Sequence, residues 1–148
     1  MLILLLAVLV ILFDQILKLL VVNTMSLNQS IPVITNIFHI TYVHNFGAAF
    51  GLLAHRTGFI ILVTVVVVFL LLVFLRHLPK EQKLLRAALV LQLAGATGNL
   101  IDRVRMGYVV DFFDLRVWPV FNVADIAIVS GIGLLILDLT RNTREKGV

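Results

Sequence analysis

The chain has 148 residues, enough for one domain, and is 61% hydrophobic but only 14% charged, against roughly 25% charged in soluble domains. With a mean hydropathy of +1.10, a self-contained aqueous core is excluded and lipid is the expected solvent. The net charge of +4 does not indicate nucleic acid: the basic residues form no patch with interleaved aromatics and fall in two short clusters beside apolar runs, where anionic membrane lipids would meet them. The lack of cysteine removes disulfides, thiolate nucleophiles and Cys-based metal sites.

A bilayer core of roughly 30 Å takes about 20 apolar residues per helix. The first such window is Leu2–Val22. It has no basic n-region or small-residue cleavage site, and Asp14 and Lys18 interrupt its apolar run, so a retained span is expected and not a cleaved signal. Asp14 and Lys18 stand four apart on one helical face, which predicts a structural ion pair; the alternative is a Lys18 that snorkels to the outer surface. In the long connection from Asn23 to Arg56, Ile31-Pro32-Val33 and Phe38-His39-Ile40-Thr41-Tyr42-Val43 alternate and are rich in β-branched and aromatic residues, predicting one or two short strands. Asn45-Phe46-Gly47-Ala48-Ala49-Phe50-Gly51 follows as an apolar turn suited to the membrane interface.

Thr57–Leu75 is the clearest span; its Val65–Val68 run would weaken a helix in water, but in lipid the backbone must satisfy itself and stays helical. Leu84–Ile101 is the third span and Val123–Thr140 the fourth. Ala94-Gly95-Ala96-Thr97-Gly98, Gly131 and Gly133 supply small residues for close helix contact. The expected fold is an all-α integral membrane protein of four transmembrane helices, with a small extracytoplasmic β-element in the first outer loop, forming a single domain over residues 1–148.

Charge sets the orientation. Arg76, Lys80, Lys83, Arg86, Arg141, Arg144 and Lys146 flank the second connection and the last span, whereas the two longer connections carry only Arg56, Arg103, Arg105 and Arg116. This asymmetry places the second connection and both termini in the cytoplasm. Asp102, Asp111, Asp114 and Asp125 then fall at or just beyond the extracytoplasmic surface, and Asp14 roughly 12 Å below it at helical rise. Five of the eight acidic residues converge on one face.

Carboxylates at the edge of so apolar a chain are functional suspects. Asn99 and Asp102, like Asn122 and Asp125, are three apart and share a helical face. The bland account is that each Asn-x-x-Asp ends or caps a helix; two copies flanking Asp111 favour a site. Two carboxylates brought together can share a proton, one acting as acid and the other as base. On physical grounds Asp125 ranks first, with Asp111 and Asp102 close behind; Arg103 beside Asp102 would keep that residue ionised as an ion-pair partner, and Asp114 reads as a solvated loop residue. No serine sits in a GxSxG elbow, no HExxH pair offers a zinc site and no glycine-rich phosphate loop occurs, so neither metal nor cofactor is expected. The best reading is a membrane-embedded aspartic peptidase. The alternatives are a small transporter or proton-conducting protein, which would need polar residues through the full membrane depth, and a non-catalytic assembly subunit, which leaves the aspartates unexplained.

These residues resemble the lipoprotein signal peptidases, the type II signal peptidases of bacteria. The similarity is carried in order by Asp14-Gln15 with Lys18, Asn45-x-Gly47-Ala48-Ala49-Phe50-Gly51, Gly98-Asn99-x-x-Asp102-Arg103, Val109-Val110-Asp111-Phe112 and Pro119-x-Phe121-Asn122-x-Ala124-Asp125. Ala94-Gly95-Ala96 stands where the family often has paired glycines, and the interval between Asp111 and Asp125 is short. The resemblance implies an endopeptidase of the bacterial cytoplasmic membrane, cutting prolipoproteins before a diacylglyceryl-modified cysteine at the extracytoplasmic face. It implies Asp111 and Asp125 as the catalytic dyad, with Asp14, Asn45, Asn99, Asp102, Arg103 and Asn122 supporting. It further implies a β-cradle over the substrate and inhibition by globomycin-type cyclic peptides; the chain is expected to act as a monomer.

Overall fold

The structure, a computed structural model, describes residues 2–47 and 56–145. Its elements in chain order are α1 (Leu2–Thr24), β1 (Ser30–Ile34), β2 (Phe38–Asn45), α2 (Thr57–His77), α3 (Lys83–Met106), β3 (Val109–Asp114) and α4 (Val123–Glu145). All four helices are long and apolar enough to cross a membrane, as the composition predicts. Of the turn expected at the membrane interface, Ala48–Gly51 lie outside the described residues.

The least apolar helix, α3, is also the most buried and packs against α1, α2 and α4. Small residues explain how α4 comes so close. A Cβ at Gly95 would run into the Ala124 carbonyl oxygen, and one at Gly131 would stand 2.6 Å from the Ala88 carbonyl oxygen. Gly133 has open space around it, so it is no packing glycine, contrary to expectation. Ala94 is buried with its methyl in place, clustered with Ala7, Leu75, Leu89, Val90 and Leu93. The α3–α4 approach therefore needs glycine at 95 and not at 94. Large apolar side chains on α1, α2 and α4, such as Phe13, Leu62, Phe69 and Leu139, point outward, as lipid-facing surfaces do.

At its C-terminal end α3 stops on Gly107, whose φ of 82° no β-branched residue tolerates and whose N–H returns to the Arg103 carbonyl at 3.0 Å. The chain reverses there into β3, which pairs antiparallel with β2; β1 pairs on the other side of β2. The small sheet is thus a joint between the α1–α2 and α3–α4 connections, not a property of the first alone. Asn45 pairs opposite Val109 and Val43 opposite Asp111, with a bulge between Ile40 and Val43. A second apolar cluster of Val21, Tyr42, Val110 and Phe112 fastens this sheet to the C-terminal end of α1. The polar site lies between these two clusters.

Candidate active site

Asn122 stands just before α4, and its pattern with Asp125 closes on itself. Asn122 Oδ1 accepts the Asp125 N–H at 2.9 Å, and Asp125 Oδ2 accepts the Asn122 N–H at 3.2 Å. Two free donors of the helix end are thereby satisfied reciprocally, as in a capping box. The capping account of Asn-x-x-Asp holds for this copy and still leaves Asn122 Nδ2 and Asp125 Oδ1 available. It does not hold for Asn99 and Asp102, because α3 continues to Met106.

Those remaining atoms link two aspartates from different elements. Asn122 Nδ2 donates to Asp111 Oδ1 at 2.6 Å and to Asn99 Oδ1 at 3.1 Å, and Asn99 Nδ2 donates to Asp125 Oδ1 at 2.8 Å. Asp111 Oδ2 takes Asn45 Nδ2 at 2.9 Å, and Asn45 Oδ1 takes the Gly47 N–H at 3.0 Å. Each amide is oriented by necessity, since the Lys18 ammonium on Asn99 and the backbone N–H groups of Gly47 and Asp125 on Asn45 and Asn122 can only donate. Asp111 is buried, whereas Asp125 is half-buried and faces a cleft. Burial first, and then the nearby Asp125 charge, push Asp111 from the ordinary 3.8 up to about 7, against the amides of Asn45 and Asn122.

Behind the dyad lies a buried ionic cluster. Lys18 Nζ spends its three N–H groups on Asp14 Oδ2 and Asp102 Oδ2, both at 2.8 Å, and on Asn99 Oδ1 at 3.0 Å. Lys18 is buried and does not snorkel. Asp14 Oδ1 accepts the Ala124 N–H at 2.9 Å, and Asp102 also accepts from Gln15 Nε2 at 2.9 Å and from the Val110 N–H at 3.2 Å. Asp102 is therefore held by α1 and not by Arg103, as its neighbour in sequence would suggest. Arg103 reaches the other way, to the Gly47 carbonyl at 2.7 Å. The chain Lys18–Asn99–Asp125, with Asn122 and Asp111 beside it, ties four elements into one network.

Asp114 departs from expectation too. It is buried, accepting from Thr41 Oγ1 at 2.8 Å, from the Arg116 N–H at 2.8 Å and from Arg116 Nη1 at 3.0 Å. It pins β3 to β2 and shapes the following turn, where Arg116 has a φ of 63°. The sequence reading gave no role to Gln15. A glutamine in an apolar span, one turn from Lys18, was the available signal.

From Asn99, Arg103 and Asp125 a cleft of about 480 Å³ runs between α2 and α4, over α3. Ile60, Val67 and Leu71 form one wall, Ile128 and Val129 the other. Along α3 it extends from Arg103 to Gln92, roughly 16 Å at helical rise. Its walls are largely apolar and most of its polar groups gather at one end, the usual build of a small-molecule site.

Residues 6–141 match the family described as signal peptidase (SPase) II. A lipoprotein signal peptidase of Moorella thermoacetica is 54% identical over 144 residues, covering 97% of this chain and 96% of its own length. Another from Halothermothrix orenii is 50% identical over 130 residues, 88% and 89% of the two chains. A bacterial membrane enzyme structure obtained by the in meso method at 2.3 Å resolution superposes with a TM-score of 0.91 at 36% identity, covering 96% of this chain and 89% of that one. A second, at 1.9 Å resolution, gives 0.84 at 37%, over 91% and 90%. With four membrane-length helices and a match over nearly its whole length, this chain belongs to the signal peptidase II family of membrane proteases.

Proposed function

We propose that the whole chain acts as one domain that removes signal peptides from bacterial prolipoproteins, cutting before a diacylglyceryl-modified cysteine with Asp111 and Asp125 as the acid–base pair. The observation that carries this reading is the placement of two carboxylates, joined through Asn122, at the polar head of an apolar cleft open along the helices. Such a cleft suits a substrate with a peptide at one end and acyl chains along the other.

Asp111 keeps its proton up to about 7 and so serves as the general acid toward the scissile carbonyl oxygen. Asp125, facing the cleft, takes a proton from the attacking water and later passes it to the leaving amine. Asn99 and Asn122 fix both carboxyl groups, and Asn45 holds the far side of Asp111. Asp14, Lys18 and Asp102 hold Asn99 and the first turn of α4 in place, and Arg103 secures the strand end at Gly47. Burying an acyl chain gives about 0.8 kcal/mol per CH₂ only when it comes from water. This substrate comes from lipid, so the cleft positions the bond more than it supplies affinity. Globomycin-type cyclic peptides would occupy the same head of the cleft.

The basic residues around the α2–α3 connection and after α4 support an orientation with both termini cytoplasmic and the dyad at the extracytoplasmic face of the cytoplasmic membrane. A monomer suffices, since every group in the scheme comes from one chain. The test is to incubate purified protein in detergent with one precursor in two forms, diacylglyceryl-modified and unmodified, and to weigh the products. Conversion of the modified form alone, with the cysteine as new N-terminus, is expected; equal cleavage of both, or of neither, overturns the proposal.

A further inference from the structure

Deep in the cleft, along α2 and α3 and away from the dyad, the described lining includes two polar side chains, Thr64 and Gln92. Thr64 is satisfied, its hydroxyl donating to the Ile60 carbonyl at 2.7 Å. Gln92 is not: its Nε2 is buried without a hydrogen-bond partner. In the hydrocarbon region no bulk water makes good that loss, and an unpaired buried amide costs free energy that an apolar side chain would not. A glutamine there requires a reason.

Its position supplies one. Gln92 lies seven residues before Asn99, two helical turns on the same face and roughly 10 Å deeper in the cleft. Gly131 of α4 packs on its stem: a Cβ there would be 2.8 Å from Gln92 Cγ and 3.1 Å from its backbone nitrogen. The stem is pinned while the terminal amide, with its broad χ3, is free to turn.

We propose that Gln92 is a substrate-binding residue that donates through Nε2 to an ester carbonyl of the lipid on the substrate cysteine. This rests on the diacylglyceryl substrate proposed above. Counted from the scissile carbonyl through the cysteine side chain and its sulfur, the ester carbonyls stand at a reach comparable to the ~10 Å between the Asn99 and Gln92 levels. The acyl chains beyond the esters carry no polar atom, so an unpaired donor at this depth matches the ester oxygens the lipid offers; the other buried unpaired donor lining the cleft among the described residues, Arg103 Nε, lies at its polar head. Phospholipids carry the same ester, so the assay must separate the two sources.

Two lipidated precursors of one sequence serve, one with ester-linked chains and one with ether-linked chains of equal length lacking the carbonyls, both assayed in an ester-free detergent. Gln92→Leu keeps the volume and removes the amide. For the diester substrate KM should rise about threefold to tenfold, the range of one net hydrogen bond, with kcat unchanged. The diether substrate should show the raised KM already with the unaltered protein and be insensitive to Gln92→Leu. A merely structural role would shift both substrates alike, and that result, or no shift in either, overturns the assignment. If Gln92→Leu does not fold, the unaltered protein still decides: equal KM for diester and diether excludes an ester contact. Competition by added diacyl phosphatidylglycerol that depends on Gln92, without any diester–diether difference, would assign the amide to bulk lipid and overturn the substrate contact. Failure of the unaltered protein to cleave either precursor removes the function proposal itself, a different outcome from all of these.

Discussion

Asp111 has one oxygen on Asn122 and the other on Asn45, is buried, and faces a second carboxylate. Its carboxyl is raised from 3.8 to about 7 in the folded state. Below about pH 4 the folded and unfolded chains both hold this proton, so Asp111 has no pH-dependent effect there. Between about 4 and 7 the unfolded chain releases it and the folded chain retains it, so stability is lost as pH rises through that window. Asp111→Asn cannot titrate, so its melting temperature relative to the natural protein should climb from pH 4 to 7 and level off above, corresponding to up to about 4 kcal/mol. A difference that stays flat with pH would contradict the burial-driven shift. The residues themselves were largely legible in the sequence, because carboxylates and asparagines in so apolar a chain have few bland explanations. Their partners were not: Asp102 sits next to Arg103 in sequence but pairs with Lys18 from another helix, and the approach of two helices cannot be read from either one. The tie between Asp102 and Asp111 had the same origin, and the three contacts that occupy Asp102 argue for a supporting role.

At the scale of elements, α1 is joined to α3 by the apolar cluster around Ala7 and to both α3 and α4 by buried polar groups, in a setting where helices gain little from apolar contact. Lys18 neutralises Asp14 and Asp102 together. Lys18→Met would leave two buried carboxylates without a cation, and breaking a buried ion pair from one side costs roughly 3–5 kcal/mol; little folded protein should be recovered. Asp14→Asn keeps an acceptor for the Ala124 N–H and should reduce folded yield more than turnover per folded molecule. Normal yield with no turnover would instead put Asp14 in the chemistry. The four spans were legible to within a few residues because hydropathy alone sets them. The third strand was not, although Val109-Val110 and Phe112-Phe113 between Gly107 and Pro119 carry strand composition; six residues around a candidate catalytic aspartate read equally well as a loop. Its pairing with β2 is what makes Asp114 structural and brings Asn45 to Asp111.

In the molecule as a whole, the proposed reaction requires the sheet, the dyad and the β3–α4 loop on one side of the membrane, opposite the α2–α3 connection. The absence of cysteine makes single thiols unambiguous reporters. Val117, 91% exposed in the β3–α4 loop, and Lys80, exposed in the α2–α3 connection, are the positions to use. Val117→Cys should react with an impermeant reagent outside intact cells and Lys80→Cys only after permeabilisation; the reverse pattern would invert the topology. The central claim, that two aspartates of different elements share the chemistry, has its most direct test in cleavage of a diacylglyceryl-modified precursor by Asp111→Asn and Asp125→Asn, with Glu81→Gln, an exposed carboxylate far from the cleft, as control. Each aspartate variant preserves shape and removes one acid–base group. Each should lower turnover of correctly folded protein by about 10⁴-fold, the upper end for loss of a general acid or base, while Glu81→Gln cleaves at the natural rate. Near-normal turnover by either aspartate variant would contradict the dyad.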